Sequence, residues 1–237
     1  MKIGIIGYGI VGKATEKTFT KGHEVVIFSL EHGAFDDLLL CDLVFICMPT
    51  NNLHDLDTIR NYCNSLLMPI IIRSTVTPGF TASLSLNVSY MPEFLRERCW
   101  EEDCLTSYKV LGSNYPVSPE LLKLLHFPQV IPTVEAEMLK VMSNIYASLK
   151  ITFANHIYEY SKIVGADYSI VRTLLEQTYT NQDYLEVNDN LRGFGGKCLP
   201  KDLDLLLHEM NKYNLKESLI TSIKTDNKLW PTTIRDD

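Results

Sequence analysis

The sequence lacks the features that would place it among membrane or nucleic-acid-binding proteins. Its 237 residues carry 22 basic and 29 acidic side chains, a net charge of −7, so no positive excess attracts nucleic acid or an anionic membrane. The longest apolar stretch, residues 38–49, is interrupted by Asp42 and falls short of the roughly 18 residues that span a membrane. The N-terminus has no secretory cleavage pattern. We therefore expect a globular protein of the cytoplasm.

Paired cysteines are also absent, although the chain contains six cysteines. None forms a C-x-x-C pair, and no histidine or second pair lies at ligand spacing from Cys99 and Cys104. We therefore expect no metal site, and the cysteine usage fits a reducing compartment. Cys41 and Cys47 lie in an apolar stretch and are predicted to be small core residues.

Short apolar strands alternate with helical stretches over the first half of the chain. The strands are predicted at residues 2–6, 24–28, 43–48, 69–73, 87–90, 109–111 and 129–131. This alternation predicts βαβ units, and the continuous apolar strands indicate a sheet covered on both faces. The expected fold class is therefore α/β, with a Rossmann-like, doubly wound parallel sheet.

The pattern changes after Pro132. Apolar residues recur every three or four positions from 134 to about 164, which predicts a long amphipathic helix, and further helices are expected at 168–179, 203–213 and 217–229. We therefore predict a cofactor-binding domain at 1–132 and an all-helical central domain at 133–237. The apolar face that begins at Val134 is long enough to pack on a second copy, so a homodimer is expected.

A glycine motif at the N-terminus predicts a dinucleotide site. Gly7, Gly9 and Gly12 have G-x-G-x-x-G spacing directly after a strand, and Ile10 and Val11 open the helix that follows. The first glycine permits a tight turn, the second lets a pyrophosphate approach the backbone, and the third lets helix and strand pack closely. The alternative is a glycine-rich turn with no ligand.

The second strand ends without the acidic residue that usually binds the ribose hydroxyls of NAD. Ser29 occupies that position, and Glu31 lies two residues beyond it. A serine would tolerate the 2′-phosphate of NADP, but no Arg or Lys lies nearby to attract one. NAD is therefore the expected cofactor, and the choice between NAD and NADP stays open.

Cys198 lies in a glycine-rich segment, residues 193–202. Lys197 and Lys201 flank it, and a nucleophilic cysteine needs an exposed, electropositive setting of this kind. The alternative is a buried thiol beside a surface loop.

Three further groups of polar residues are candidates for a site. Residues 74–79 and 92–97 each follow a predicted strand, at the sheet edge where such folds bind ligands. Lys140 and Asn144 are four residues apart, so they share one face of the long helix. Glu137 precedes Lys140 by three residues, and the simpler interpretation of those two charges is a solvated pair.

Taken in chain order, these segments resemble the UDP-glucose/GDP-mannose 6-dehydrogenase family of nucleotide-sugar dehydrogenases. The matching segments are GYGIVG at 7–12, STVTPG at 74–79, PEFLRE at 92–97, Lys140 with Asn144, and GFGGKCLPKD at 193–202. The last is highly specific, and together the segments cover nearly the whole chain.

The resemblance implies oxidation of a nucleotide sugar, such as UDP-glucose, from a primary alcohol to a carboxylate with two NAD. Cys198 would be the nucleophile that forms a thiohemiacetal and then a thioester. Lys140 and Asn144 would stabilise the oxygen on C6, Asp202 would position a water, and Glu93 would be the base for thioester hydrolysis.

The resemblance also implies the residues that bind each ligand. The cofactor set is Gly7, Gly9, Ile10, Val11, Gly12, Ser29, Met48, Pro49, Thr50, Ser74, Thr75 and Glu97, with Thr75 also catalytic at the nicotinamide end. The substrate set is Glu93, Phe94, Leu95, Lys140, Asn144, Phe194 and Gly195.

Chains of this family continue into a third, Rossmann-like domain of about 100 residues, so we expect a short form without it. Two other functions stay open. One is a truncated, non-catalytic relative that binds a dinucleotide. The other is a two-electron β-hydroxyacid-type dehydrogenase, which would have no use for Cys198.

Overall fold

A seven-stranded sheet organises the first part of the molecule. The computed structural model describes residues 1–84, 87–106, 109–178, 187–212, 214 and 217–233. The chain divides into two compact units, Met1–Lys140 and Val141–Asp237, which we describe separately. The strands of the first unit are β1 (Lys2–Ile6), β2 (Glu24–Phe28), β3 (Leu43–Ile46), β4 (Ile70–Ile72), β5 (Val88–Tyr90), β6 (Val110–Gly112) and β7 (Gln129–Ile131).

The strand order is β2-β1-β3-β4-β5-β6-β7, and every neighbouring pair is parallel except β5 with β6. The predicted α/β class and all seven predicted strands are confirmed. Some bounds differ from the prediction by one or two residues: β3 stops at Ile46, β4 is one residue shorter at each end, and β6 is shifted by one residue. A crossover connection links each parallel pair, as a parallel sheet requires.

Helices cover both faces of this sheet, which explains why its central strands are apolar throughout. They are α1 (Ile10–Phe19), α2 (Leu53–Ser65), α3 (Trp100–Thr106) and α4 (Pro119–Leu124), with 3-10 turns at Phe35–Leu40 and Thr81–Ser83. Alternate residues point to opposite faces, so Ile5 and Phe45 pack with Phe19 of α1, whereas Ile46 and Ile72 pack with α2. The sequence pattern did not predict α3.

The long helix α5 (Thr133–Val164) has its first eight residues in the first unit. Close packing holds them there: a Cβ on Gly112 would lie 2.7 Å from the Cβ of Ala136. The glycine at the end of β6 therefore lets the first turn of α5 approach the sheet.

The second unit is mainly helical. It contains the rest of α5, α6 (Tyr168–Thr178), α7 (Cys198–Lys212), α8 (Ser218–Asp226) and a 3-10 turn at Asn227–Leu229. Two short strands, β8 (Gly193–Phe194) and β9 (Thr232–Thr233), pair in parallel. The core of this unit contains Ile151, Phe194, Leu203, Ile220 and Ile223.

Two predicted helices in this unit differ at their ends. The helix predicted from 203 begins at Cys198, because Pro200 falls in its first turn, where a missing N–H costs no helical hydrogen bond. The helix predicted at 168–179 is observed to Thr178, and Tyr179 lies outside the described residues. Within the described ranges, no helix is both long and apolar enough to cross a membrane.

Candidate active site

The N-terminal motif contains two glycines that no other residue could replace without a clash. Gly7 has φ +90°, and a Cβ there would lie 2.8 Å from the backbone of Met48. A Cβ on Gly12 would lie 2.2 Å from the carbonyl oxygen of Gly7. The first glycine therefore makes the turn after β1, and the third lets α1 pack against it.

Gly9 differs from the other two, because a Cβ added there would meet open space: among the described residues, no atom outside its chain neighbours lies within 4 Å. It is the N-cap of α1, which has no side-chain cap, and Ile10 and Val11 form the first turn. Side-chain-free backbone at a helix N-terminus, where N–H groups and the helix dipole favour negative charge, is a suitable environment for a pyrophosphate. These residues therefore fit a dinucleotide.

Ser29 lies in a tight turn that follows β2. Its backbone N–H donates to the carbonyl of His32 at 2.9 Å, and its Oγ lies 3.0 Å from Nδ1 of the same histidine. The N–H of Glu31 donates to Ser29 Oγ at 3.3 Å, while the Glu31 side chain is exposed. Ser29 is therefore already engaged within its turn, and Glu31 is the acidic side chain that this turn exposes.

Hydroxyl groups join the segments that follow β3 and β4. Ser74 Oγ donates to the carbonyl oxygen of Met48 at 2.7 Å. Thr50 Oγ1 donates to the carbonyl oxygen of Thr75, also at 2.7 Å. Both bonds are buried or partly buried, and Pro49 lies between the two bonded residues of the first segment. The predicted cofactor residues of these two segments are thus brought together.

Glu137 supports the second of these segments, a role that its sequence context did not suggest. Its side chain is fully buried, and its carboxylate accepts the N–H of Gly79 at 2.6 Å and of Thr81 at 2.7 Å. Burial raises the pKa of this carboxyl group, although the two N–H donors act in the opposite direction. The simpler interpretation of Glu137 and Lys140 as a solvated pair is therefore wrong: both are buried, and each has a different partner.

Lys140 forms a buried ion pair with Glu93. Lys140 Nζ lies 2.7 Å from Glu93 Oε1, and the two side chains are only 3% and 7% exposed. Glu93 Oε2 also accepts the N–H of Leu95 at 2.9 Å. Burial alone would raise the pKa of Glu93, but the charge and hydrogen bond of Lys140 outweigh it and lower that pKa. Glu93 is therefore a carboxylate at neutral pH.

The segment after β5 is shaped by its own hydrogen bonds. The N–H of Arg96 donates to Asp103 Oδ2 at 2.7 Å, and its guanidinium donates to both carboxylate oxygens of Asp103. Lys140 Nζ lies 5.9 Å from the ring centre of Phe94, within the range of a cation–π contact. Phe94, Leu95 and Glu97 are half-buried, so this segment lies at the surface of the first unit.

In the second unit, Asn144 is bonded to Asp202. Asn144 Nδ2 donates to Asp202 Oδ2 at 2.5 Å, and Lys201 Nζ lies 3.3 Å from Asp202 Oδ1. Asp202 is fully buried, although it is an aspartate in the first turns of α7. The three residues form a polar cluster that joins α5 to α7.

Cys198 is the first residue of α7, and its side chain is exposed. The helix N-terminus is a position that favours negative charge. Gly196, two residues before it, has φ +73°, a conformation that only glycine adopts readily. The backbone therefore turns sharply just before the thiol, and Asp202 follows it by one helical turn.

The loop before Cys198 is held by residues that no sequence motif indicates. The amide of Asn227 accepts the N–H of Phe194 and donates to its carbonyl oxygen, both at 2.8 Å. Gly195 N–H donates to the carbonyl of Thr233 at 2.8 Å. The Phe194 side chain is 1% exposed and belongs to the core, so Phe194 supports the loop from inside, while Gly195 is partly exposed. A buried asparagine 33 residues away gives no local sequence signal.

Comparisons with known proteins find similar sequences among nucleotide-sugar dehydrogenases. Residues 134–229 match the family model for the central domain of the UDP-glucose/GDP-mannose dehydrogenase family. The UDP-glucose 6-dehydrogenase of Rickettsia typhi is 30% identical over 184 residues, which are 68% of this chain and 41% of that protein. The GDP-mannose 6-dehydrogenase of Pseudomonas aeruginosa is 28% identical over 264 residues, covering 95% of this chain and 60% of that protein.

Solved structures show the same fold. The UDP-glucose dehydrogenase of Pyrobaculum islandicum superposes with a TM-score of 0.85 at 22% identity, over 96% of this chain and 68% of that one. The chain spans about half the length of the curated relatives it matches. On the family model, the relatives and the shared segments, the chain belongs to the UDP-glucose/GDP-mannose dehydrogenase family of nucleotide-sugar dehydrogenases.

Proposed function

We propose that this protein is a nucleotide-sugar 6-dehydrogenase that oxidises the primary alcohol of UDP-glucose to the carboxylate of UDP-glucuronate. The observation that carries the proposal is the exposed Cys198 at the start of α7, one turn before the bonded pair of Asp202 and Asn144. Covalent oxidation of an aldehyde needs a nucleophile, which the Cys198 thiol can supply, and polar groups for proton transfer, which Asp202 and Asn144 can supply.

The glycine turn after β1 and the N-terminus of α1 would hold NAD. The open backbone at Gly9 supports this, and Thr50 and Ser74 would form a wall of the same site through their bonds to Thr75 and Met48. NAD would supply the acceptor for two hydrides in each turnover. Glu31, exposed next to Ser29, is the acid available for the ribose hydroxyls.

Cys198 would provide the covalent step. Its Sγ would attack the carbonyl carbon of the C6 aldehyde, forming a C–S bond while the carbonyl oxygen takes up a proton to give a thiohemiacetal. Oxidation of that adduct gives a thioester, and water then cleaves the C–S bond, releasing the carboxylate and returning the thiol. The thiol is therefore regenerated in each turnover.

The polar side chains would stabilise negative charge on the C6 oxygen and transfer protons. The Lys140 ammonium and the Asn144 amide are donors suited to stabilising developing negative charge on that oxygen. Asp202, held by Asn144 and Lys201, would orient a water, and Glu93 would accept a proton during thioester hydrolysis. The lowered pKa of Glu93 keeps it ionised at neutral pH and able to accept a proton, and its pairing with Lys140 makes it a weaker base than a free carboxylate.

The remaining predicted residues would position the ligands. The backbone of Phe94 and Leu95 would bind the nucleotide sugar in the first unit, with Thr75 and Glu97 at the nicotinamide end. In the second unit, the half-exposed Gly195 is the residue proposed for substrate contact, and Phe194 would fix the loop that carries it.

The test is a panel of nucleotide sugars with NAD and with NADP, followed by the absorbance of the reduced cofactor and by product analysis. We expect two reduced cofactors for each carboxylate, and loss of carboxylate formation in Cys198→Ser. The matched control is Cys99→Ser, a half-buried thiol outside the site, which should keep its activity.

Each contrary outcome has a distinct meaning. Unchanged carboxylate formation in Cys198→Ser would reject the covalent mechanism. One reduced cofactor for each product would indicate a two-electron dehydrogenase. No turnover with any nucleotide sugar, although the dinucleotide binds, would indicate a non-catalytic relative.

We also propose that two copies associate through α5. Met138, Met142 and Tyr146 are spaced four residues apart on one face of the helix, and each is at least 42% exposed. A row of exposed apolar side chains of this kind is typical of a protein interface. Sedimentation should give a dimer for the wild type and a monomer for Met142→Lys. A monomeric wild type at micromolar concentration would reject the proposal.

A further inference from the structure

A pocket on the α1 side of the sheet contains two basic side chains that the proposed reaction does not use. Its walls include Arg73 and Lys109, Thr18 and apolar residues such as Phe19 and Met91, and, on the side next to the proposed substrate segment, Glu93, Phe94 and Leu95. The pocket is open to solvent, and the space between its walls and at its mouth is about 470 Å³ in total. We call it the Arg73 pocket. Because most of its other walls are apolar, the electrostatic interactions of the two cations are screened less than at an open surface.

Arg73 follows β4 and uses few of its donors. One guanidinium nitrogen donates to Thr15 Oγ1 at 2.7 Å, and that hydroxyl donates in turn to the carbonyl of Val11. The Nε–H of Arg73 is buried and finds no hydrogen-bond partner among the residues that the structure describes. A guanidinium offers five donors, and a buried donor without a partner is costly. Arg73 is therefore held in place with donor capacity left over.

Lys109 precedes β6 and is half-buried. Burial, and after it the charge of Arg73, lower the pKa of Lys109. Within the described ranges, neither Arg73 nor Lys109 forms an ion pair with a carboxylate. Two neighbouring cations repel each other, and the Glu93 carboxylate, whose pKa the charge of Arg73 helps to lower, offsets only part of that repulsion because it is paired with Lys140.

The carboxylate that also lines the pocket is paired mainly with a residue other than Arg73 and Lys109. Glu93 Oε1 is paired with Lys140, and Oε2 accepts the N–H of Leu95. Glu93 therefore does not neutralise Arg73 and Lys109 together, and the pocket keeps a positive balance.

We propose that the Arg73 pocket binds a compact oxyanion such as phosphate or sulfate, with Arg73 and Lys109 as its cationic ligands. The planar guanidinium suits two oxygens of such an ion, and the ammonium acts as a point charge. The site is separate from the expected pyrophosphate position, because Thr18 lies nine residues beyond Gly9, roughly 13 Å along α1.

The experiment is a titration with inorganic phosphate, and separately sulfate, at constant ionic strength, followed by the midpoint of thermal unfolding. We expect a saturable rise in the wild type and in the control Lys123→Met, which removes an exposed lysine of α4. In Lys109→Met we expect at least tenfold weaker binding, and in Lys109→Arg we expect binding to be kept. The wild-type response should persist with saturating NAD present, which separates this pocket from the cofactor site.

The stability of Lys109→Met provides a second test. Without phosphate it should be at least as stable as the wild type, because one of two repelling cations has gone. A response to phosphate that is equal in Lys109→Met and Lys123→Met, or that NAD abolishes, would overturn the proposal, as would the absence of any saturable response. These measurements need no turnover, so they are independent of the proposed dehydrogenase activity.

Discussion

The two units hold their candidate site residues in different ways. In the first unit, buried charges do so: Glu93 pairs with Lys140, and Glu137 binds the backbone at Gly79 and Thr81. In the second unit, the buried Asp202 carboxylate holds Asn144, whereas the loop before the exposed Cys198 is held by the neutral amide of Asn227 and by backbone pairing.

This contrast indicates how each unit should respond to change. A buried ion pair has lost its hydration, so removal of one partner leaves a charge that nothing else compensates. Removal of a neutral amide leaves no buried charge behind. The free energy of unfolding then falls by about as much as the hydrogen bonds of that amide contribute. The segments held by Glu93 and Glu137 should therefore be more sensitive to single substitutions and to pH than the loop before Cys198.

The largest effect is expected for Lys140→Met. It leaves the Glu93 carboxylate buried without its partner, so the free energy of unfolding of the first unit should fall by about 3–5 kcal/mol. Denaturant unfolding measures this. Lys123→Met, an exposed lysine of α4, should change stability little, and equal effects of the two substitutions would contradict the buried-pair interpretation.

The matching change in the second unit is Asn227→Asp. It removes the N–H donor to the Phe194 carbonyl and puts a carboxylate beside that oxygen, so we expect a loss of about 1–3 kcal/mol in the free energy of unfolding. Asn211→Asp, at an exposed position of α7, is the control. A loss larger than that of Lys140→Met would reverse the comparison between the units.

The Glu93 carboxylate of the first unit should make stability depend on pH. The pKa of Glu93 is lowered in the folded state, so its contribution to stability is complete above the ordinary value of 4.5 and is lost as the pH falls below it. The slope for this one proton is at most about 1.4 kcal/mol per pH unit. Urea unfolding of the wild type and of Glu93→Gln should therefore converge with acidification, and a constant difference would contradict the lowered pKa.

The smallest effect is expected for Thr50→Val. The change keeps the shape of the side chain but removes the hydroxyl that donates to Thr75, for a loss of about 1 kcal/mol in the free energy of unfolding. The control is Thr58→Val, because the Thr58 hydroxyl donates to a carbonyl of its own helix. Stability that is equal in the two variants would show that the link between the segments after β3 and β4 contributes nothing.

Local patterns were enough to predict most of the fold. The apolar runs predicted all seven strands of the large sheet, and the glycine spacing predicted the turn between β1 and α1. Both features depend on residues that are close together in the chain. A buried strand needs a continuous apolar run, and the turn after β1 needs a glycine at position 7 because that residue has a positive φ. The helix α3 was missed, because its seven residues are too few for a clear helical period.

In the candidate site too, the local sequence predicts some residues, and tertiary packing alone decides the others. Motif and spacing identify the residues proposed to carry the chemistry: the glycine turn, Lys140, Asn144 and the segment around Cys198. Their supporting partners follow from tertiary packing alone: Glu93 for Lys140, the backbone at Gly79 for Glu137, and Asn227 for Phe194. These partners lie from 33 to 58 residues apart, so packing of distant elements, and no local period or spacing, brings them together.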